Sequence, residues 1–121
     1  MLNAVFIQGR LVKNVEMKEG NGKAFAVFCV ACQRNFKNAK GEYDTDFVDC
    51  VAYGATGDFI NKYFHKGDMI LVSGELNLRI YEDKNGTKHK VAVINVNKAH
   101  FTGEKKNAAN DEPYEVGGTP Y

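Results

Sequence analysis

Most of this chain alternates apolar and polar side chains with a period of two residues, which predicts β-strands rather than helices. The alternation is cleanest over residues 69–81. One face, predicted to point into a core, carries Ile70, Val72, Gly74, Leu76, Leu78 and Ile80, and the other carries Ser73, Glu75, Asn77, Arg79 and Tyr81. Further strands are predicted at residues 2–12, 23–34, 45–54 and 88–101. The strands at residues 2–12 and 23–34 are apolar on both faces, which indicates that a second subunit covers the face that does not point into the core.

A helical period is convincing only over residues 55–66. The residues that recur there at helical spacing are Phe59, Ile60, Tyr63 and Phe64. Gly and Asn mark turns at residues 19–22 and 83–86, where side chains must tolerate positive φ. The pair Asn85-Gly86 favours a type I′ hairpin turn between the last two predicted strands.

The predicted order is three strands, one helix and two strands. Five strands with a helix between the third and fourth are typical of an OB-fold, a small Greek-key barrel that binds oligonucleotides or oligosaccharides. We therefore predict an all-β domain with one helix, an OB-fold over residues 1–103. Residues 33–44, rich in Lys, Asn and Gly, are predicted to form a loop, and residues 104–121 a short, flexible, mildly acidic tail.

The strand at residues 45–54 carries a candidate binding face. Its small apolar face is Val48, Cys50 and Ala52, and its other face is Phe47, Asp49, Val51 and Tyr53. The rings of Phe47 and Tyr53 would lie about 20 Å apart at ~3.3 Å per residue. Spaced rings can stack on bases, although rings on strands more commonly pack against a neighbouring element or subunit. Asp49 would be unfavourable near phosphates, and Arg79 is its candidate partner.

Two further rings and several cations strengthen the binding interpretation. Phe36 and Tyr81 join Phe47 and Tyr53 as candidates for base stacking. The candidate phosphate ligands are Arg10, Arg34, Lys37, Lys40, Arg79, Lys84, Lys88 and Lys90. Residues 1–106 hold all 16 Lys and Arg and 12 of the 15 acids, a formal charge of +4. A mildly basic body suits a polyanionic ligand such as a single strand of nucleic acid.

Other features argue for a cytoplasmic location and against enzyme activity. No apolar run approaches a membrane span, the N-terminus lacks a signal-peptide pattern, and three cysteines, an odd number, suit a reducing compartment. Cys29 and Cys32 form a C-x-x-C whose thiols alternate on a strand, so a zinc or redox site is not expected. Asp44 and Asp46 share a face that excludes Asp49, which disfavours a metal-dependent nuclease. His65, His89 and His100 are expected at solvated surface. We expect no catalytic residue, metal or cofactor.

Five segments also carry a family resemblance. They are NAVFIQGRL at 3–11, FCVACQRNF at 28–36, TDFVDCVAYG at 45–54, KGD to GEL at 66–76 and YEDKNG at 81–86. In order and spacing these segments resemble the bacterial and phage single-stranded DNA-binding proteins. The resemblance implies a homotetramer, with a dimer as the alternative, that binds and protects single-stranded DNA in replication, recombination and repair. The family's stacking positions, usually Trp or Phe, fall here on Phe36, Phe47, Tyr53 and Tyr81.

The family's tail implies protein partners. Its longer tail ends in clustered acids and Pro-Phe, which recruit replication and recombination proteins. The matching residues here are Asp111, Glu112, Pro120 and Tyr121, a thinner acidic cluster before a Pro-aromatic end. The compact length suits a phage or mobile-element version. The rival interpretation is another OB module, either an RNA binder or a replication-restart adaptor that acts mainly through protein contacts.

Overall fold

The computed structural model describes residues 1–103. Its elements are β1 (Val5–Leu11), β2 (Glu16–Gly20), β3 (Lys23–Lys37), β4 (Tyr43–Tyr53), α1 (Gly54–Tyr63), β5 (Met69–Glu82) and β6 (Lys88–His100). The strands form one sheet in the order β1-β5-β6-β4-β3-β2. A further pairing of β1 with β3 closes β1, β3, β4, β5 and β6 into a barrel. The predicted OB-fold is confirmed, with α1 between the third and fourth barrel strands.

The barrel interior is filled by the inward faces of its strands, and α1 covers one end. Val30, Ile70 and Val72 are fully buried, as is Ile60 from the helix. Burying side chains of this size stabilises a fold by about 1.5–3 kcal/mol each relative to exposure. The close approach of α1 requires Gly57, because a Cβ at that position would lie 2.5 Å from the Ala52 carbonyl oxygen.

The short strand β2 has no counterpart in the sequence prediction. It pairs with β3 from Glu16–Val27 to Gly20–Lys23, and all five of its residues are exposed. A strand with no buried face shows no hydrophobic period, so sequence alternation cannot reveal it. The turn that follows was predictable: Asn21 and Gly22 have φ of 53° and 76°, and a type I′ turn requires positive φ at both positions.

The prediction of a loop over residues 33–44 is wrong for most of that segment. β3 continues to Lys37 and β4 begins at Tyr43, with an irregular register between Gln33 and Lys37. Residues 33–37 are all exposed, so the backbone ladder alone defines the strand there. Arg34, Phe36 and Lys37 therefore lie on a strand. Lys40 remains in the turn, where its N–H donates to Asn38 Oδ1.

Two element boundaries also differ from the prediction. β1 begins at Val5 rather than Leu2, but the Asn3 side chain continues its ladder with β5. The Asn3 amide donates to the Leu76 carbonyl and accepts from the Leu76 N–H, both at 2.9 Å. The helix ends at Tyr63 rather than Lys66, because Phe64 is extended. Across residues 1–103 no helix is long and apolar enough to span a bilayer.

The far halves of β5 and β6 extend from the barrel as a two-stranded hairpin. Ile70, Val72 and Gly74 are buried, as predicted. The prediction that Leu76, Leu78 and Ile80 face a core is wrong, because nothing in the single chain covers this hairpin, and Ile80 is 66% exposed. The connecting turn is not type I′ either. Of its four residues 83–86, only Gly86 has positive φ.

Candidate nucleic-acid interface

Two rings lie on the outer face of β4. Phe47 pairs across the ladder with Ala31 and is 66% exposed. Tyr53 pairs with Phe25, and their rings pack at a centroid distance of 5.3 Å with an interplanar angle of 40°. Tyr53 is consequently 41% exposed. Phe47 can offer a ring to a ligand, while Tyr53 offers the part that Phe25 leaves open.

The surface between these rings is not a continuous cationic track. Val51 points outward as predicted but is buried, beside its cross-strand partner Val27. Asp49 lies opposite Cys29. The prediction that Asp49 pairs with Arg79 is wrong. Arg79 lies on β5 opposite Val91, and among residues 1–103 Asp49 and Arg79 form no ion pair with each other.

The three cysteines are free thiols. Burial, and then the charge of Asp49, raises the pKa of Cys29. Burial is also the main cause that raises the pKa of Cys50 to about 12. These two thiols therefore stay protonated at neutral pH and are poor nucleophiles and poor metal ligands. Within residues 1–103, no group of three or more His, Cys, Asp or Glu side chains is placed to hold a metal ion.

A groove runs beside Phe47 where β1 and β3 diverge. The ladder places Arg10, Ala31 and Phe47 in one row across β1, β3 and β4. Arg10 donates from Nη1 to the Gly67 carbonyl at 2.9 Å. The groove has a volume of about 660 Å³, and its lining includes Phe6, Gln8, Arg10, Gln33 and Thr45. Four of these residues, Phe6, Gln8, Gln33 and Thr45, were not predicted as candidates from the sequence; their shared outward position on three strands was the available signal.

The extended end of β3 carries three of the predicted ligand residues. Phe36 is exposed, and Lys37 Nζ lies 5.8 Å from the centroid of the Tyr43 ring. Arg34 makes a bidentate ion pair with Asp46, through Nε–Oδ2 at 3.0 Å and Nη2–Oδ1 at 2.9 Å. The hydrogen bond from Arg34 holds the pKa of Asp46 below its usual value. The charge of Arg34 is therefore already matched within the protein.

The hairpin separates its predicted ligands onto two faces. Residues directly opposite in a ladder share a face, and alternate residues along a strand do so too. Tyr81 pairs with His89 and Arg79 with Val91, so Arg79 and Tyr81 lie on one face. Lys88 and Lys90 pair with Glu82 and Ile80 and belong to the other face. Lys84 lies in the turn between the strands.

His89 is not the unpartnered surface residue that we expected. Its Nε2 lies 2.8 Å from Asp83 Oδ2, and its ring stacks on Tyr81 at 5.1 Å with an interplanar angle of 24°. His65 Nδ1 lies 3.7 Å from Asp68 Oδ2. Among the described residues, none of the rings of Phe36, Phe47, Tyr53 and Tyr81 contacts another of the four. The tail residues Asp111, Glu112, Pro120 and Tyr121 lie outside the described residues.

A closed five-stranded barrel with outward aromatic and basic side chains defines an OB-fold of the ligand-binding class. The chain belongs to the single-strand binding protein family, whose model matches residues 2–102. It is 36% identical over 113 residues to a single-stranded DNA-binding protein of Staphylococcus epidermidis, covering 93% of this chain and 85% of the relative. It is 35% identical over 119 residues to one from Fusobacterium nucleatum, covering 96% of this chain and 77% of the relative.

A solved structure supports the fold independently. The crystal structure of a small single-stranded DNA-binding protein from Streptomyces coelicolor matches with a TM-score of 0.68 over 85% of this chain and 97% of that one. The two sequences are 16% identical. The similarity therefore shows that the barrel and its connections are shared, and it carries no residue roles.

Proposed function

We propose that this protein binds single-stranded DNA without regard to base sequence and protects it during replication, recombination and repair. Phe36, Phe47, Tyr53 and Tyr81 stack on bases. The phosphate contacts come from Arg10, Lys37, Lys40, Arg79 and Lys84. Lys88 and Lys90 lie on the other face of the hairpin, and Arg34 is held by Asp46. The protein acts as a binding module, with no chemical step and no cofactor.

The observation that carries the proposal is the exposed ring of Phe47 on the outer face of an OB barrel. Most of this ring is in contact with water, and covering exposed aromatic surface with a partner is favourable. Every base has a π-face, so a ring of this kind stacks without reading sequence, for about 1–3 kcal/mol per base. The adjacent groove, with Arg10 on its wall, gives the backbone of a bound strand a place beside the ring.

Titration of the protein with labelled dT oligomers at rising salt tests the proposal. We expect quenching of tyrosine fluorescence on binding. We also expect the logarithm of the association constant to fall linearly with the logarithm of the salt concentration, with a slope of about −0.7 per phosphate contact. Oligomers of dA and dC should bind with similar affinity. An affinity independent of salt, or the absence of binding, would refute the proposal.

RNA binding is the alternative, and a competition experiment with the same labelled dT oligomers addresses it. No feature of the described surface selects for or against a 2′-hydroxyl, which is how proteins distinguish RNA from DNA. Competition between dT and rU oligomers of equal length separates the two. Equal or tighter binding of rU would favour the RNA-binding alternative.

We further propose that the protein assembles with copies of itself, as a homotetramer, and recruits replication or recombination proteins through its C-terminal residues. The exposed side chains of Leu2 and Phe6 at the start of β1 support self-association. The candidate recruiting residues are Asp111, Glu112, Pro120 and Tyr121. A truncated chain of residues 1–103 should bind dT as the full chain does and lose any partner that the full chain captures.

A further inference from the structure

The tip of the β5–β6 hairpin contains an acid, an imidazole and a phenol ring held in a fixed arrangement. Asp83 Oδ1 accepts the N–H groups of Asn85 and Thr87, both at 2.9 Å. Its other oxygen, Oδ2, lies 2.8 Å from His89 Nε2. The carboxylate is thus fixed by the turn on one side and holds the imidazole on the other.

The imidazole in turn supports Tyr81. The two rings are cross-strand partners and stack at 5.1 Å, with an interplanar angle of 24°. A stacked pair leaves the outer face of each ring for a ligand, and a ring held by a neighbour loses less conformational entropy on binding. The pair is also accessible, since Tyr81 is 52% exposed and the His89 side chain 42%.

We propose that Tyr81 and His89 form one stacked pair that takes a base on the outer face of either ring, and that protonation of His89 strengthens the binding of single-stranded DNA at this hairpin. The inference deepens the proposed function and rests on it. His89 contacts the bound base, while Asp83 is a positioning residue that acts through His89.

The charge of the Asp83–His89 pair gives the direction of the pH dependence. The hydrogen bond from His89, followed by that from Thr87, holds the pKa of Asp83 below its usual value. Its carboxylate therefore stays ionised where imidazoles titrate, between about pH 5 and pH 8. With neutral His89 the pair carries one negative charge, which repels phosphates. With protonated His89 the pair is neutral, and the repulsion is removed.

The other charged groups near His89 do not change this direction. Arg79 and Tyr81 share its face of the hairpin, and Lys84 lies in the adjacent turn. Glu82, Lys88 and Lys90 belong to the opposite face. Lys and Arg stay cationic, Glu stays anionic and Tyr stays neutral across this range as residue types. Among side chains, imidazole is the type whose charge ordinarily changes between about pH 5 and pH 8.

The experiment measures dT oligomer affinity at about pH 5.5 and pH 8, each at several salt concentrations, because thymine does not titrate in this range. We expect the wild-type protein to bind about threefold more tightly at the lower pH. At the lower pH, the slope of log affinity against log salt concentration should become steeper by up to about 0.7, the contribution of one phosphate contact. His89→Phe keeps an aromatic ring without an imidazole, so its affinity should not rise between pH 8 and pH 5.5.

Two more variants separate stacking from charge. His89→Ala removes the ring and should bind about three- to tenfold more weakly than wild type at pH 8. His65→Phe is the matched control: it removes an imidazole near a carboxylate at a site between α1 and β5, and it should retain the gain. Retention of the gain by His89→Phe, its absence in the wild type, or wild-type affinity of His89→Ala at pH 8 would each overturn the inference.

The proposed function and the inference fail in different ways. If the wild-type protein does not bind dT, the proposed function falls and the inference falls with it. If Phe47→Ala weakens binding while both His89 variants match the wild type at both pH values, the inference alone is overturned. Thermal melting of the variants checks that each remains folded, as expected for a hairpin outside the barrel core.

Discussion

At the scale of single residues, the ion pair of Arg34 with Asp46 limits what Arg34 can offer to DNA. A guanidinium held by two hydrogen bonds to a carboxylate has its charge neutralised and two of its donors occupied. Because Arg34 lowers the pKa of Asp46, the carboxylate remains ionised throughout mildly acidic pH, and the pair is lost only as pH falls below the usual Asp value of about 3.9. Asp46 therefore restrains Arg34 under any ordinary binding condition.

Asp46→Asn should release Arg34. We expect this variant to bind a dT oligomer more tightly. The slope of log affinity against log salt concentration should be steeper by up to about 0.7, the effect of one added phosphate contact. Asp44→Asn is the matched control, since it changes the net charge equally and its carboxylate accepts from Asn38 rather than Arg34. An equal effect of the two variants would mean that net charge, and not Arg34, is responsible. Titrations at four or five salt concentrations measure both quantities.

Phe47→Ala should weaken DNA binding without unfolding the protein. Loss of one stacked base corresponds to about 1–3 kcal/mol, or roughly a five- to 150-fold rise in Kd. The melting temperature should change little, because the ring is mostly exposed and contributes little to the core. Tyr63→Ala, an exposed ring on α1, serves as the control and should keep wild-type affinity. Unchanged affinity with a lowered melting temperature would make Phe47 a packing residue.

The two Asn-Gly pairs show how far residue preferences reach. Asn21-Gly22 takes positive φ at both residues, as its preference predicts, and joins β2 to β3. Asn85-Gly86 takes positive φ only at Gly86. Here the Asp83 carboxylate accepts the N–H groups of Asn85 and Thr87 and stabilises a different turn. Asn and Gly permit a type I′ turn, but a neighbouring acid decided which turn formed.

At the scale of elements, prediction succeeded where a strand has one buried face. Ile70 and Val72 on β5 and Cys50 and Ala52 on β4 were placed correctly, because burial imposes the period of two. It failed for β2 and for the end of β3, which are exposed on both faces. There the hydrogen-bonded ladder defines the strand, and it leaves no mark in the side-chain pattern.

The hairpin is the element in which the ladder, unseen in the sequence, decides how the candidate binding residues are arranged. Counting cations along the sequence grouped Arg79, Lys88 and Lys90 together, but the cross-strand register separates them onto two faces. A strand of DNA that stacks on Tyr81 should therefore contact Arg79 and not Lys88. The sequence supplies these candidate residues but not the register that sorts them.

A double-mutant cycle tests this separation. Tyr81→Ala and Arg79→Gln should be coupled in their effects on dT affinity, because the two residues share the hairpin face that we propose for the bound strand. Tyr81→Ala and Lys88→Gln should be additive within about 0.3–0.5 kcal/mol. Coupling of Tyr81 with Lys88 instead would show that the bound strand contacts both faces of the hairpin.

At the scale of the whole molecule, apolar side chains remain exposed around one end of the β1–β5 pair, where β1 begins and β5 continues into the hairpin. Phe6 is 74% exposed, and Leu2 more so, next to the groove where β1 leaves β3. Leu78 and Ile80 are exposed on the hairpin. The sequence pattern predicts that Leu78 and Ile80 face a core and that a second subunit covers one apolar face of the first strand. A core completed by other copies of the chain reconciles that pattern with the exposure in the single chain.

Phe6→Asp tests whether β1 belongs to such an interface. The wild-type protein should sediment at four times the mass of one chain. An unpaired aspartate in an apolar interface loses its hydration at a large cost, so the variant should shift to dimers or monomers at the same concentration. Tyr63→Asp places the same charge on an exposed ring of α1 and should leave the assembly intact. A wild-type monomer, or a Phe6→Asp variant of unchanged mass, would exclude β1 as the contact. If the assembly dissociates and the folded barrel persists, oligomers long enough to reach several chains should lose most of their extra affinity over short oligomers. This ratio is informative even though Phe6 also lines the groove.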